Sequence, residues 1–359
     1  MILKKAISII LFAAVCSSFA GCEKTQKAEP VEVSLLDTKA APQDIKLDWQ
    51  EAYEKKLKEF KSSESFKDTS RFDIIDLTGD DIPELIISPS DDVSAQCEIY
   101  RLFNGGLDQI GITGSYGTFD FIPSMNAIGY SYEGDGFNIG EYLVYEEGTF
   151  NSAVSFYTNA NSASAGVTIQ YEVNNENVTL VKFEEILQPY RDADSFKTGR
   201  KYSFGDGAID YAVHYSETWD QVLTDQQKQL FKERVEAVME TNDFIEAAFE
   251  LVDLDLNGIP EVVVSTGMLN DSVTRILYLD EEGVKELETS CDADGGIMFD
   301  ISSKIFYAAD FYGSVQCWSL AGADISNFTV SDSTMRCGRK FSLNKETIEK
   351  VFANEVKNG

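Results

Sequence analysis

The sequence predicts an α+β fold of two related tandem units, each an amphipathic helix packed on a mainly antiparallel β-sheet. Three observations support this prediction. The segment FDIIDLTGDDIPELIIS, Phe72 to Ser88, returns in the same design as FELVDLDLNGIPEVVVS, Phe249 to Ser265. A pattern of helical spacing precedes each copy, and short alternating runs separated by turn residues follow it. A pattern that recurs within one chain is typical of a duplicated unit.

Ahead of these units, residues 1–21 have the pattern of an export signal. Lys4 and Lys5 precede an apolar run that is too short to span a bilayer, and small residues lead into Cys22. The residues FAGC, Phe19 to Cys22, resemble the lipobox of bacterial lipoproteins. That resemblance implies cleavage before Cys22, lipidation of Cys22, and an extracytoplasmic protein held at a membrane by its acyl chains. The alternative is an ordinary secretory signal in which this cysteine is accidental.

Residues 22–43 mix charge, Ala and Pro without periodicity, which indicates a flexible tether. The first unit is then expected at 44–215 and the second, shorter unit at 216–359. Each opens on a helix, and Thr224 with Gln227 forms a capping box for the second one. The later segments GRKYSF, from Gly199, and GRKFSL, from Gly338, also match.

The chain is strongly acidic, with 61 Asp and Glu against 30 Lys and Arg and a formal net charge of −31. Such a balance repels phosphate backbones and favours cations or basic partners, so nucleic acid is not expected as a ligand. Solubility alone would explain the same charge.

The second acidic loop has the spacing of a calcium site. Oxygen donors fall at Asp253, Asp255, Asn257 and Glu261, with the carbonyl of Ile259 between the last two, and Gly258 permits the tight turn. The position where an EF-hand would have its bidentate Glu is Val264, so the loop is not an EF-hand.

The loop resembles the shorter calcium loops of integrin-type FG-GAP repeats. It is also similar to the signature F-x-L-x-D-x-D-x-[DN]-G-x-P-E of duplicated acidic loops in bacterial surface lipoproteins. The resemblance implies structural Ca²⁺. The first loop departs from the pattern but keeps a smaller set of candidate ligands, namely Asp76, Thr78, Asp80 and Glu84. In the alternative interpretation, both loops are hairpin turns whose Asp and Asn side chains cap their own backbone.

The remaining chemistry-bearing residues are few. In an exported protein, Cys97, Cys291, Cys317 and Cys337 suggest a disulfide, with one bridge among the last three. The sequence around the single histidine, His214, contains no nucleophile to pair with it. We therefore expect His214 to have no catalytic role. Trp318 has no counterpart in the first unit, so it is either a stacking platform for a ligand or a core side chain. The runs SYGTFDF (115–121) and SYEGDGFN (131–138) are further candidate binding surfaces.

No familiar catalytic motif is present. The sequence therefore favours a non-enzymatic, lipid-anchored extracytoplasmic binding or scaffold protein with one or two structural calcium loops, facing a protein or glycan partner. One alternative is a surface hydrolase that uses paired carboxylates, for example on glycans. Another is an accessory lipoprotein of an envelope or transport complex.

Overall fold

The computed structural model describes residues 49–353, except 81, 135, 164–165, 215–222, 241–246, 267–272, 281–282, 291–295, 310–314, 321–324 and 327. The predicted leader, the lipidation residue Cys22 and the tether lie outside the described residues.

The protein is mostly β, so the α+β prediction is wrong. Among the described residues, strands make up 46% and helices 24%, in four antiparallel sheets and five short helices. The sequence predicted one helix on one sheet in each unit. Periodicity marks where strands lie but not which strands pair. Two further strands extend the sheet of each loop hairpin, but most strands after those form separate sheets.

The helices form where apolar side chains recur at helical spacing. In the first helix, Tyr53, Leu57 and Phe60 are buried on one face. The predicted capping box is confirmed at the fourth helix, since Gln227 N donates to Thr224 Oγ1 and Thr224 N donates to Gln227 Oε1. The helices of the described part are α1 (Trp49–Lys61), α2 (Leu180–Arg191), α3 (Asp206–His214), α4 (Asp225–Glu240) and α5 (Lys345–Phe352).

Two sheets come from the first part of the chain. Sheet 1 has the order β1-β2-β3-β4 and consists of β1 (Arg71–Ile75), β2 (Glu84–Ser88), β3 (Cys97–Phe103) and β4 (Gly106–Thr113). Sheet 2 has the order β10-β9-β8-β7-β6-β5-β11 and consists of β5 (Phe119–Ile122), β6 (Ala127–Gly134), β7 (Phe137–Glu146), β8 (Thr149–Ala163), β9 (Gly166–Val173), β10 (Glu176–Val178) and β11 (Phe196–Thr198).

Two further sheets come from the second part. Sheet 3 has the order β15-β14-β13-β12-β20 and consists of β12 (Ala248–Val252), β13 (Glu261–Thr266), β14 (Val273–Asp280), β15 (Gly283–Ser290) and β20 (Phe341–Ser342). Sheet 4 has the order β18-β17-β16-β19 and consists of β16 (Ile297–Asp300), β17 (Ile305–Ala309), β18 (Val315–Trp318) and β19 (Thr334–Cys337).

Sheets 1 and 3 pair their strands in matching registers. Ile75 lies opposite Glu84 in sheet 1, and Val252 lies opposite Glu261 in sheet 3. In both sheets this pair closes the hairpin that carries the acidic loop. The matching sequences therefore produce matching backbone geometry around the two loops.

The two parts of the chain are joined through Tyr202. Its backbone pairs with Phe72 at the edge of sheet 1 and with Met335 at the edge of sheet 4. The largest apolar cluster accordingly contains side chains from α1 and β1 together with others from β13 and β16, for example Tyr53 and Phe299. A shared core of this kind makes one folded body of the part of the chain that is described.

Candidate metal centre

The second acidic loop connects β12 to β13 and is shaped by its own carboxylates. Asp253 accepts hydrogen bonds from Asn257 N at 3.0 Å and from Gly258 N at 2.8 Å. The backbone is left-handed at Leu256 (φ 56°) and at Gly258 (φ 87°), which brings the chain back towards the start of β13.

Three of the predicted ligands converge. One carboxylate oxygen from each of Asp253, Asp255 and Glu261 lies within 4.8 Å of the other two. The amide oxygen of Asn257 instead accepts from Ile259 N at 2.7 Å, and its nitrogen donates to Asp255 at 2.8 Å. The carbonyl oxygen of Ile259 stays a predicted metal ligand. Such a set of hard oxygens is suited to Ca²⁺, which takes six to eight oxygen ligands and accepts flexible geometry.

Burial makes this cluster electrostatically costly. The Glu261 side chain is buried, and this burial raises the pKa of its carboxyl to about 8, although the hydrogen bond from Leu254 N at 2.7 Å acts to lower it. Burial also raises the pKa of Asp253, against the lowering effect of its backbone hydrogen bonds. Carboxylates in this arrangement are stabilised by a bound proton or a bound cation.

One basic side chain lies near the loop. Lys304 Nζ donates to the backbone carbonyl oxygen of Asp255 at 3.0 Å. Within the described part of the chain, no salt bridge joins a basic side chain to the three carboxylates. The charge of the cluster is therefore not neutralised by an ion pair there.

The first loop has the same pattern of backbone hydrogen bonds to its carboxylates. Asp76 accepts from Thr78 N at 3.2 Å and from Gly79 N at 2.6 Å, and Glu84 accepts from Leu77 N at 2.7 Å. Glu84 is fully buried, and burial raises its pKa to about 8. Thr78 donates its hydroxyl to Asp80 at 3.2 Å. The four predicted ligands of this loop therefore lie around one short turn.

Arg101 distinguishes the first loop from the second. Its guanidinium forms an ion pair with Asp80, and its Nε lies 3.7 Å from Glu84 Oε1. Arg101 stands opposite Asp108 in the β3–β4 hairpin, and Tyr278 stands at the matching place in the β14–β15 hairpin. In the first loop a guanidinium is therefore paired with the carboxylates, whereas the ammonium of Lys304 at the second loop contacts a backbone carbonyl. Alignment of the two segments at the offset of the loops shows the difference between Arg101 and Tyr278.

The other predicted residues lie outside these loops. Trp318 is partly buried and stacks on Phe306, with ring centroids 5.8 Å apart, so one face of its indole is occupied by the core. His214 is half-exposed at the end of α3, with Nε2 3.9 Å from Asp210.

The predicted disulfide is not found among the described cysteines. Cys97, Cys317 and Cys337 are free thiols, and Cys97 and Cys337 are buried. Cys291 lies outside the described residues. The two candidate surface runs are brought together, because Tyr116 of the first lies against Tyr132 of the second with ring centroids 6.1 Å apart.

Comparison with known proteins identifies no relative: no family model, no curated protein and no solved structure matches the chain. Among the residues that are described, no helix has the length and apolar character needed to cross a membrane.

Proposed function

We propose that this protein is a membrane-anchored extracytoplasmic binding module whose second acidic loop is stabilised by Ca²⁺. The observation that carries the calcium proposal is the difference between the loops. Both have a buried Glu and acidic neighbours, but only the first places a guanidinium beside them. In the second loop a divalent cation would supply the missing charge.

The proposed ion is structural. Asp253, Asp255 and Glu261 come from the end of β12, the turn and the start of β13. A bound ion would hold this hairpin closed and stabilise the folded state in proportion to its occupancy. Few protein ligands and an open turn favour weak binding, with Kd of ~10⁻⁴–10⁻³ M, as in extracellular modules.

The proposed localisation depends on the sequence. The leader pattern and Cys22 support lipidation, and the tether of residues 22–43 would place the folded body away from the bilayer. Two or more acyl chains on one residue give stable anchoring. Incorporation of a labelled fatty acid into the full chain, and its loss in Cys22→Ser, tests this part separately.

Thermal unfolding tests the calcium site. The chain from Glu23 onward keeps every described residue and can be melted in millimolar Ca²⁺ or in chelator. We expect Ca²⁺ to raise the melting temperature of the wild-type chain and of Asp76→Asn, but not of Asp253→Asn. Asp76 is the matched control because it has the same position in the first loop, where Arg101 already pairs with a carboxylate. An absence of any shift for the wild-type chain up to about 20 mM Ca²⁺, well above the expected Kd, would refute the proposed site.

A further inference from the structure

An aromatic row lies on sheet 2. Tyr116, Tyr132, Phe137 and Tyr157 form a continuous series, with successive ring centroids 6.1, 5.7 and 6.5 Å apart. The last three residues belong to the adjacent strands β6, β7 and β8. Tyr116 has a left-handed backbone (φ 55°) and is 49% exposed. A strained backbone at an exposed aromatic residue is a feature that clusters at binding sites.

The row occupies one face of the sheet. Ile139 lies opposite Tyr132 on one side and Tyr157 on the other, so these three side chains point the same way. The next residues along the strands point to the opposite face. One of them, Phe156, packs there against Phe183 of α2. Ile139 is 42% exposed. The helix therefore covers one face. The other face packs against sheet 1 at Ile128 and Leu143 and is exposed at the end that has the aromatic row.

The stretch of chain that carries the row is acidic. Between Arg101 and Lys182 the sequence has nine Asp and Glu and no Lys, Arg or His. Glu141 lies opposite Tyr130 and Glu172 lies opposite Tyr157, which places both carboxylates on the face of the row. Aromatic rings flanked by carboxylates attract cations both through the ring faces and through charge.

We propose that this aromatic face binds a lysine- or arginine-rich segment of a partner protein. A guanidinium or ammonium over a tyrosine ring gains a cation–π contact, and Glu141 and Glu172 supply ion pairs beside it. The charge of this face opposes acidic peptides and anionic polysaccharides.

The inference rests on the proposed role as a binding module, but not on calcium. The acidic loop is tested by melting in Ca²⁺, whereas the aromatic face is tested by titration with a peptide. A negative result for calcium therefore does not contradict the proposed peptide binding, and a negative result for the peptide does not contradict the calcium site.

Calorimetric titration of the chain from Glu23 onward is the test. The probes are a synthetic peptide of alternating Arg and Gly, a peptide of the same length with Glu in place of Arg, and a neutral β-glucan hexasaccharide. We expect only the Arg peptide to bind, with affinity that falls as salt rises. The double variant Tyr132→Ala/Tyr157→Ala should bind it about tenfold more weakly, through loss of two cation–π contacts.

Matched controls separate this surface from the charge of the whole molecule. Phe103→Ala removes a ring that is 55% exposed elsewhere and should leave binding unchanged. Glu141→Gln should weaken binding more than Glu59→Gln on the exposed side of α1. Equal losses from both Glu variants, with full binding by the tyrosine double variant, would show that net charge alone attracts the peptide. Ring-dependent binding of the hexasaccharide without binding of the Arg peptide would equally overturn the proposal, and would identify a glycan surface. Retention of the wild-type melting temperature shows that each variant is folded.

Discussion

Arg101 and Tyr278 occupy matching places on two matching hairpins, and they give the neighbouring loops different electrostatics. Beside Arg101, the buried carboxyl of Glu84 and the carboxylate of Asp80 have a fixed counter-charge. Beside Tyr278, the corresponding cluster has none from that position. One loop therefore has a covalently attached cation beside its carboxylates, and we propose that the other takes one from solution.

The first prediction concerns Arg101→Leu. Removal of the guanidinium leaves Asp80 and the fully buried Glu84 without their cation. We expect the free energy of unfolding to fall by about 2 kcal/mol. This value lies between the typical costs of losing an exposed and a buried ion pair, because Asp80 is partly exposed. The variant should also gain a larger rise in melting temperature with Ca²⁺ than the wild-type chain. Urea unfolding with and without Ca²⁺ measures both effects.

Arg234→Leu is the control for that experiment. Arg234 pairs with Glu286 at the surface and is half-exposed, so its loss should change the unfolding free energy by less than about 0.5 kcal/mol. If Arg101→Leu were as stable as Arg234→Leu and responded to Ca²⁺ no more than the wild-type chain, Arg101 would not be the counter-ion of the first loop.

The second prediction concerns pH and Glu261. Burial raises the pKa of this carboxyl from an ordinary value of 4.5 to about 8, so between these values the folded chain holds a proton that the unfolded chain has lost. The stability of the Ca²⁺-free protein should therefore fall as pH rises through this window, and Glu84 contributes with the same sign. Ca²⁺ must displace the proton from Glu261, so calcium affinity should increase with pH up to about 8.

Calcium titrations at several pH values between 5 and 9 check this linkage, with proton release measured from the dependence of the binding enthalpy on buffer. In Glu261→Gln the proton release should disappear along with most of the affinity. Calcium affinity of the wild-type chain that did not change over this range would contradict the linkage.

At the scale of elements, the sequence predicted what depends on local pattern. The helices α1 and α4, the two loops and the capping box of Thr224 and Gln227 lie where spacing and turn residues place them. The division of the strands into four sheets was not predicted, because some pairings join distant segments, as when β11 pairs with β5 and Tyr202 bridges Phe72 and Met335. In the same way, the loop spacing placed its own carboxylates together but contained no sign of Arg101, which reaches the first loop from another strand.

The third prediction concerns the turn between β12 and β13. Gly258 has φ of 87°, and a Cβ at this position would meet no atom within 4 Å, so a substitution acts through the backbone alone. Asn tolerates the left-handed region, whereas a β-branched residue does not. Gly258→Val should therefore destabilise the protein by about 1–2 kcal/mol more than Gly258→Asn. Calcium affinity should fall in the same order, because the turn positions Asp253 and Asp255. Equal stability of the two variants would show that the turn does not require this conformation.

At the scale of the whole molecule, the two halves are joined by charge as well as by apolar packing. Lys201, next to Tyr202, is partly buried and forms an ion pair with the buried Glu250 of β12. Glu250 also accepts from Gly338 N at 2.9 Å. Asp73 has the corresponding place on β1 and accepts from Thr198 Oγ1 at 2.6 Å and from Gly199 N at 3.2 Å. A segment from the first half thus neutralises a buried charge of the second, and the second half cannot complete its polar core alone.

The last prediction follows from these contacts between the two halves. Because Lys201, Tyr202 and the shared apolar cluster connect the halves, the chain should unfold in one cooperative transition although its two halves have matching loops. Trp49 reports on the first half and Trp318 on the second, so single-tryptophan variants should give coincident urea transitions. Lys201→Met leaves Glu250 buried without its cation and should lower the unfolding free energy by about 3–5 kcal/mol, with both tryptophan signals shifting together. A shift of the Trp318 transition alone, or two separate transitions in the parent chain, would mean that the two halves fold independently. The contacts between them would then not make folding cooperative.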